Sequence, residues 1–203
     1  VTQPGYDALA ATYEETFPDP FYSPLERRAV DAFADAVGER DGVPRVIDVG
    51  CGTGNTARHL SERGLTVDGV DPSVEMLAIA RNKHAGITFH DGDHRLAGVD
   101  LGTVDGVLAR FSLIHVRPEE IPPVLADWRR RLPAGALLLV AGQANDEAGV
   151  VEFDHAVAPA WRWHPDSMAA TLAAAGFAEV WRTVSRPDAT HRFPEYHLLA
   201  RAD

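Results

Sequence analysis

From residue 46 onward, short β-branched runs alternate with amphipathic segments of helical period, and no other feature of the 203-residue chain restricts its fold as much. The runs are Val46 to Val49, Leu65 to Val70, Ile87 to His90, Val104 to Ala109 and Ala136 to Ala141, and helices are expected to start at Thr53, Ser73 and Ile121 between them. A chain that makes strand and helix in turn has to cross back over its sheet each time, which predicts an α/β domain with a mainly parallel sheet. Gly64 is placed to end the first of these helices in a left-handed C-cap. Two stretches stand outside the alternation. Ahead of it, Tyr6, Leu9, Tyr13 and Phe17 recur at helix spacing, and Ser23 with Glu26 forms a capping-box pair around Pro24 at the first helical position. Behind it, Pro165 to Ala175 reads as a helix closed by Gly176, then Phe177 to Ser185 and Tyr196 to Arg201 as strands of a terminal hairpin. Pro and Gly punctuate the chain without gathering into a linker, so residues 1–203 are read as one domain.

The stretch Val46-Ile47-Asp48-Val49-Gly50-Cys51-Gly52-Thr53-Gly54 puts a buried strand directly before three alternating glycines and a helix. Glycines in such a turn permit positive φ and let a ligand approach the main chain. The dinucleotide fingerprint would need its third glycine at position 55, which is Asn55, and no Lys follows as a phosphate-gripping Walker loop requires. Asp71, at the end of the next strand and 21 positions beyond Gly50, can accept both hydroxyls of a ribose. The pocket is therefore expected to hold a nucleoside.

From about Val46 to Arg201 the chain resembles the class I methyltransferases that use S-adenosylmethionine, in particular the small-molecule type. The resemblance rests on the loop Asp48 to Gly54, on Asp71, on Gly92-Asp93 after the third strand, and on Arg131-Leu132-Pro133-Ala134-Gly135, an altered Leu-x-Pro-Gly-Gly turn before the fifth strand. It implies a Rossmann-like, seven-stranded and mainly parallel sheet with a terminal antiparallel hairpin and helices on both faces. It implies S-adenosyl-L-methionine as cofactor, with Gly50, Cys51, Gly52, Gly54 and Asn55 along the methionine side and Asp48 buttressing the loop. Asp71 and Pro72 would meet the ribose, and Gly92, Asp93 and the His94 backbone the adenine. Met76, Ala109, Arg110 and Phe111 would pack on the adenosine or methionine portions. Residues 1–40 resemble helices that cover the site in small-molecule members, bringing Tyr6 and Tyr13 to cofactor and acceptor. Arg27 is either a carboxylate clamp for the methionine portion or an exposed helix charge.

Methyl transfer from a sulfonium asks mainly for collinear placement and exclusion of water. An acceptor hydroxyl or ammonium must also lose a proton, and His115, just past the fourth strand, is the candidate base; the alternative is a core histidine satisfied by backbone. His90, Asp91, Asp93 and His94 could suggest a metal site, but alternate residues of a strand face opposite ways, so no metal is expected. Cys51 has no adjacent base or second cysteine and reads as structural. After the fourth strand, Ala109-Arg110-Phe111-Ser112 lacks the Asn/Asp-Pro-Pro-aromatic signature of methyltransferases that act on DNA bases.

Charge narrows the partners. Thirty acidic against 19 basic residues give a net charge of -11, which repels a phosphate backbone, so no nucleic-acid partner is expected. No stretch approaches a membrane span and no signal-like block opens the chain, so a cytoplasmic protein without a membrane partner is expected; oligomeric state is not legible. Against this acidic background, Arg110 and His115 stand beside the expected transfer point, with Arg162 and His164 in the segment Gln143 to His164. These four are candidate acceptor-binding residues, and they suggest a small-molecule acceptor with an acid group unless Arg110 pairs with Glu119 or Glu120. Two rival functions stay open: a protein that binds S-adenosylmethionine or S-adenosylhomocysteine without methyl transfer, and a nicotinamide oxidoreductase.

Overall fold

The computed structural model describes residues 4–40, 42–189 and 191–203. Five parallel strands form its centre: β1 (Arg45–Val49), β2 (Thr66–Asp71), β3 (Thr88–Asp91), β4 (Gly106–Arg110) and β5 (Leu137–Gln143). The last two strands of the chain, β8 (Phe177–Val184) and β9 (Glu195–Ala202), add an antiparallel hairpin on the β5 side. The seven-stranded order is β3-β2-β1-β4-β5-β9-β8. The direction of winding reverses between β1 and β4, so the carboxyl ends of these strands open a crevice there.

Six helices surround the sheet: α1 (Pro4–Thr16), α2 (Pro24–Gly38), α3 (Asn55–Glu62), α4 (Val74–Lys83), α5 (Ile121–Arg131) and α6 (Pro165–Ala174). Strand alternation sorts the core into two layers. Ile47, Val107, Leu138 and Leu198 face α5 and α6, meeting Ile121, Leu125, Trp128 and Met168. Their neighbours Val46, Leu108, Leu139 and Leu199 face the opposite way, toward Val30, Phe33 and Val37 of α2, Leu60 of α3 and Leu77 of α4. Local signals set the helix starts as expected. Ser23 caps α2 by accepting from the Glu26 N–H, with Pro24 in the first turn, and Ser73 caps α4 by accepting from the Met76 N–H.

Two findings modify the expected picture. The segment between β5 and α6 is not a long loop: β6 (Val150–Phe153) and β7 (Ala160–Trp163) pair as a separate two-stranded hairpin. And α2 is part of the core layer, whereas α1 lies over the crevice. Asp7 of α1 accepts from Ser73 Oγ at 2.6 Å, and Glu14 takes an ion pair from Lys83, so α1 is fastened near both ends of α4.

Candidate active site

A cavity of about 570 Å³ lies at the carboxyl ends of β1, β2, β4 and β5, beneath α1. Its first half is the glycine-rich turn. Gly50 and Gly52 have φ of +70° and +53°, which an L side chain resists. A Cβ on Gly50 would sit 2.3 Å from Ser112 Cβ, while one on Gly52 would meet nothing, so Gly52 presents bare backbone to the cavity. Asp71 fixes this turn: Oδ2 accepts the Gly52 N–H and Oδ1 the Ser73 N–H, both at 2.9 Å. Each oxygen retains a second lone pair, and burial pushes the carboxyl upward against the opposing pull of those two amides.

Asp48, on β1 beneath the turn, is 3% exposed, and its Oδ2 has no hydrogen-bond partner. Burial, opposed in part by Arg110 and reinforced by Asp71, raises it to about 7. An orphaned acceptor lining a cavity suits a cationic donor. Cys51 also lines the wall, its thiol pushed well up by burial, which agrees with a structural role. Pro72, Met76, Asn55, Asp93 and His94 complete this half. Asp93 Oδ1 accepts the Arg95 N–H, and the His94 carbonyl accepts from the Trp128 indole.

The second half is assembled by long-range contacts. His115 ends a 3₁₀ turn after β4, and its Nδ1 lies 3.0 Å from the Pro159 carbonyl, which can only accept. Nδ1 therefore carries the proton, and Nε2 accepts from the Tyr6 hydroxyl at 2.8 Å. Burial lowers His115, keeping it neutral, and raises Tyr6. The β6–β7 hairpin supplies Pro159 and His155, whose ring stands edge-on to His115 with centroids 4.8 Å apart. It also meets α1, because a Cβ on Gly5 would come within 2.7 Å of the Val157 carbonyl. The opposite wall holds Phe111, in the left-handed region at φ +54°, with Gln143 and Glu195.

Arg110 lies between the halves, and its charge is already engaged. Its guanidinium pairs with Glu26 of α2, both side chains are at most 10% exposed, and the rings of Phe21 and Phe111 lie 5.3 and 5.0 Å from its centre. Glu119 and Glu120 are not its partners. The anion-attracting cluster expected from sequence does not assemble: Arg162 donates to the Ala144 carbonyl and stacks on Phe193, and His164 caps α6 by accepting from Asp166 N–H. Arg27 also lies outside the cavity, bound to Asp19 at 2.9 Å and stacked on Phe21, so the carboxylate-clamp expectation gives way to the helix-charge alternative. Gly54 caps α3 at φ +80° against His84 and Phe89, Ala109 is wholly buried, and Gly92 packs on Val70; none of the three lines the cavity. Tyr6, Tyr13 and His115 do line it.

Sequence reasoning missed Gln143 and Glu195 as site residues, and read His155 only as one of several residues of the segment Gln143 to His164 able to shape a pocket or to pack beneath a long loop. The alternating Val150–Phe153 and Ala160–Trp163 could have revealed the hairpin that delivers His155, but no local signal marks Glu195. Among the described residues, the ligand atoms that converge as a metal would require are those of Glu26, His191 and Glu195, not the 90–94 quartet. Arg110 on Glu26 already supplies the cation there. No helix among the described residues is long and apolar enough to cross a membrane.

Comparison with known proteins adds the family. Residues 46–135 match the family described as a methyltransferase domain. A dTDP-3-amino-3,6-dideoxy-alpha-D-glucopyranose N,N-dimethyltransferase of Streptomyces fradiae is 30% identical over 191 residues, covering 87% of this chain and 65% of that protein. The chain spans about half the length of the first curated relatives that it matches. Among solved structures, the Synechocystis PCC 6803 magnesium protoporphyrin IX methyltransferase with bound S-adenosylhomocysteine aligns at TM-score 0.73 and 18% identity, covering 99% of this chain and 97% of that one. The [4+2]-cyclase SpnF aligns at 0.78 and 18%, covering 98% and 94%. Residues 46–135 thus match a methyltransferase domain, and the chain shares the fold of solved S-adenosylmethionine-dependent methyltransferases.

Proposed function

We propose that this protein transfers a methyl group from S-adenosylmethionine to a small-molecule acceptor. The observation that carries this is a single cavity whose one half is an acid-flanked glycine turn and whose other half presents the Tyr6–His115 pair. The cofactor fits on the chain's own terms. Asp71 has a lone pair on each oxygen for ribose hydroxyls, Gly52 leaves room for the main chain to be approached, and Asp48 offers its orphaned oxygen to an ammonium. When bound, S-adenosylmethionine supplies an electrophilic methyl on sulfur, whose carbon–sulfur bond breaks as the acceptor's lone pair forms the new one, leaving a neutral thioether. Relatives named as N- and O-methyltransferases of small molecules support this class of reaction.

The chain's residues position, enclose and move a proton. The Tyr6 oxygen can take the acceptor's proton while its own passes to His115 Nε2, and the imidazolium so formed still donates through Nδ1 to Pro159. Tyr6 is then the residue that touches the acceptor, and His115 acts through it. We infer that α1, more than residues 1–40 as a whole, is the cover, since its Tyr6, Tyr13 and neighbours line the cavity while α2 packs on the sheet. Water exclusion follows from that placement.

The reading is tested by incubating the protein with methyl-labelled S-adenosylmethionine and fractionated cell extract, then identifying labelled products by mass spectrometry. A labelled small molecule with matching release of S-adenosylhomocysteine is expected. Tight binding of the cofactor without transfer to any fraction would favour the binding-only reading, to which the likeness to a [4+2]-cyclase lends weight. Saturable binding of NAD in its place would revive the oxidoreductase.

A further inference from the structure

We propose that the acceptor carries an ammonium group on a flat apolar body, this group held by the Glu195 carboxylate and the Gln143 Oε1 atom while the atom to be methylated lies toward Tyr6. This rests on the reading of the cavity as a methyl-transfer site. Gln143 and Glu195 are directly opposed across β5 and β9, at the strand ends where both enter the cavity. Cross-strand partners point to the same face, so their two acceptors form one patch. Neither is satisfied within the protein: Gln143 Oε1 is buried without a hydrogen-bond partner, and the nearest cation to Glu195 is the His191 ring nitrogen, 4.0 Å away. A buried acceptor such as Gln143 Oε1, set beside a half-buried carboxylate, is favoured when something brings it a donor.

Charge and shape agree. The cavity wall carries Asp48, Asp71, Asp93 and Glu195, with Asp19 paired to Arg27, against the single guanidinium of Arg110, which Glu26 already neutralises. A carboxylate or phosphate entering would add like charge, so the acid-bearing acceptor suggested by the sequence is disfavoured. Along the wall runs an unbroken series of edge-to-face rings, His115, Tyr6, Tyr13, Phe17 and Tyr22, which meets His191 behind the wall, with centroids 4.8 to 6.4 Å apart. The series leads from the proton-accepting Tyr6 to the Glu195 end. It offers a flat apolar body surface along its length and an ammonium ring π-density near its end.

The test uses the full chain saturated with S-adenosylhomocysteine and a calorimetric panel of arylalkylamines, each matched to the alcohol and the carboxylate of the same skeleton. The amines should bind at least ten times tighter than their alcohols, and the carboxylates weakest. Glu195→Gln should reduce the amine-to-alcohol preference about tenfold, and Gln143→Met severalfold. In both variants S-adenosylhomocysteine affinity should stay close to that of the parent, and melting temperature should not fall. Equal or better binding of alcohols or carboxylates, an unchanged preference in Glu195→Gln, or no binding by any amine would overturn the proposal while leaving the cofactor reading intact. Failure of the parent to bind S-adenosylhomocysteine would instead overturn the reading on which the proposal rests.

Discussion

At the glycine-turn end of the cavity, Asp48, Gly50, Gly52 and Asp71 come from one continuous strand-turn-helix-strand stretch, and Asp71 is spent largely on holding backbone. At the other end, Tyr6, His115, Gln143, His155 and Glu195 come from five separate segments, and the polar atoms face one another or face the cavity. The first half is fixed by local chain geometry and varies little with the rest of the sequence. The second exists only once α1, the β6–β7 hairpin and β9 have all docked. Such a division lets one cofactor site serve different acceptors, because the acceptor wall can change without disturbing the turn.

Arg110 stands on the boundary, so its loss should breach both halves and give the largest effect. Arg110→Ala leaves Glu26 charged and buried, and a stability loss of about 3–5 kcal/mol in denaturant unfolding is expected. Replacing both partners by Met and Leu should recover most of it; no recovery would mean that Arg110 matters through packing on Phe21 and Phe111. Asp71→Ala should strike the first half alone, weakening S-adenosylhomocysteine by about 1.5–3 kcal/mol by calorimetry. Unchanged affinity would remove Asp71 from the cofactor site. Tyr6→Phe should strike the second half alone, lowering kcat about 10–100-fold with cofactor affinity preserved. Equal losses in kcat and cofactor affinity would show that the halves are not separable.

A smaller effect should appear on changing pH. Asp48 and Glu195 are both raised to about 7, chiefly by burial; Asp71 adds to the first, and Glu26 to the second against His191 and Arg110. Carboxyls raised in the folded state contribute stability that is fully present below their ordinary range near 4 and is lost as pH rises through 7. The ligand-free protein should therefore lose melting temperature between about pH 4 and about 7, and Asp48→Asn should flatten the decline. His197 acts at the other end: burial lowers it to about 3, so its contribution is present above about 6.5 and lost as pH falls toward 3.

The sheet was legible because strand alternation and capping residues are local: Ser23, Ser73 and Gly176 mark boundaries within a residue or two of the observed ones. The glycine turn and Asp71 were legible because their spacing alone places them together. Glu26 was not, since nothing near it in sequence announces a partner 84 positions away, and Arg110 had nearer acidic candidates at Glu119 and Glu120. Arg27, Arg162 and His164 show the converse. A charged residue in a suggestive segment is easily claimed for the site, yet local ion pairs, stacking and a helix cap account for all three. His115 was found by position at a strand end, but its tautomer depends on Pro159 and Tyr6, which only tertiary docking supplies.

The fastening of α1 bears on turnover. Asp7 holds it at one end of α4, Glu14 with Lys83 and Asn55 at the other, and Tyr6 ties it to His115 in between. One helix thereby closes over both compartments, so neither can be refilled while the other stays shut. Spent cofactor and methylated product are expected to escape during the same opening event, at a rate governed by breaking a few partly exposed contacts and therefore quickened by added salt. Ionic strength then becomes a means of asking whether opening or bond-making is the slower passage through each cycle.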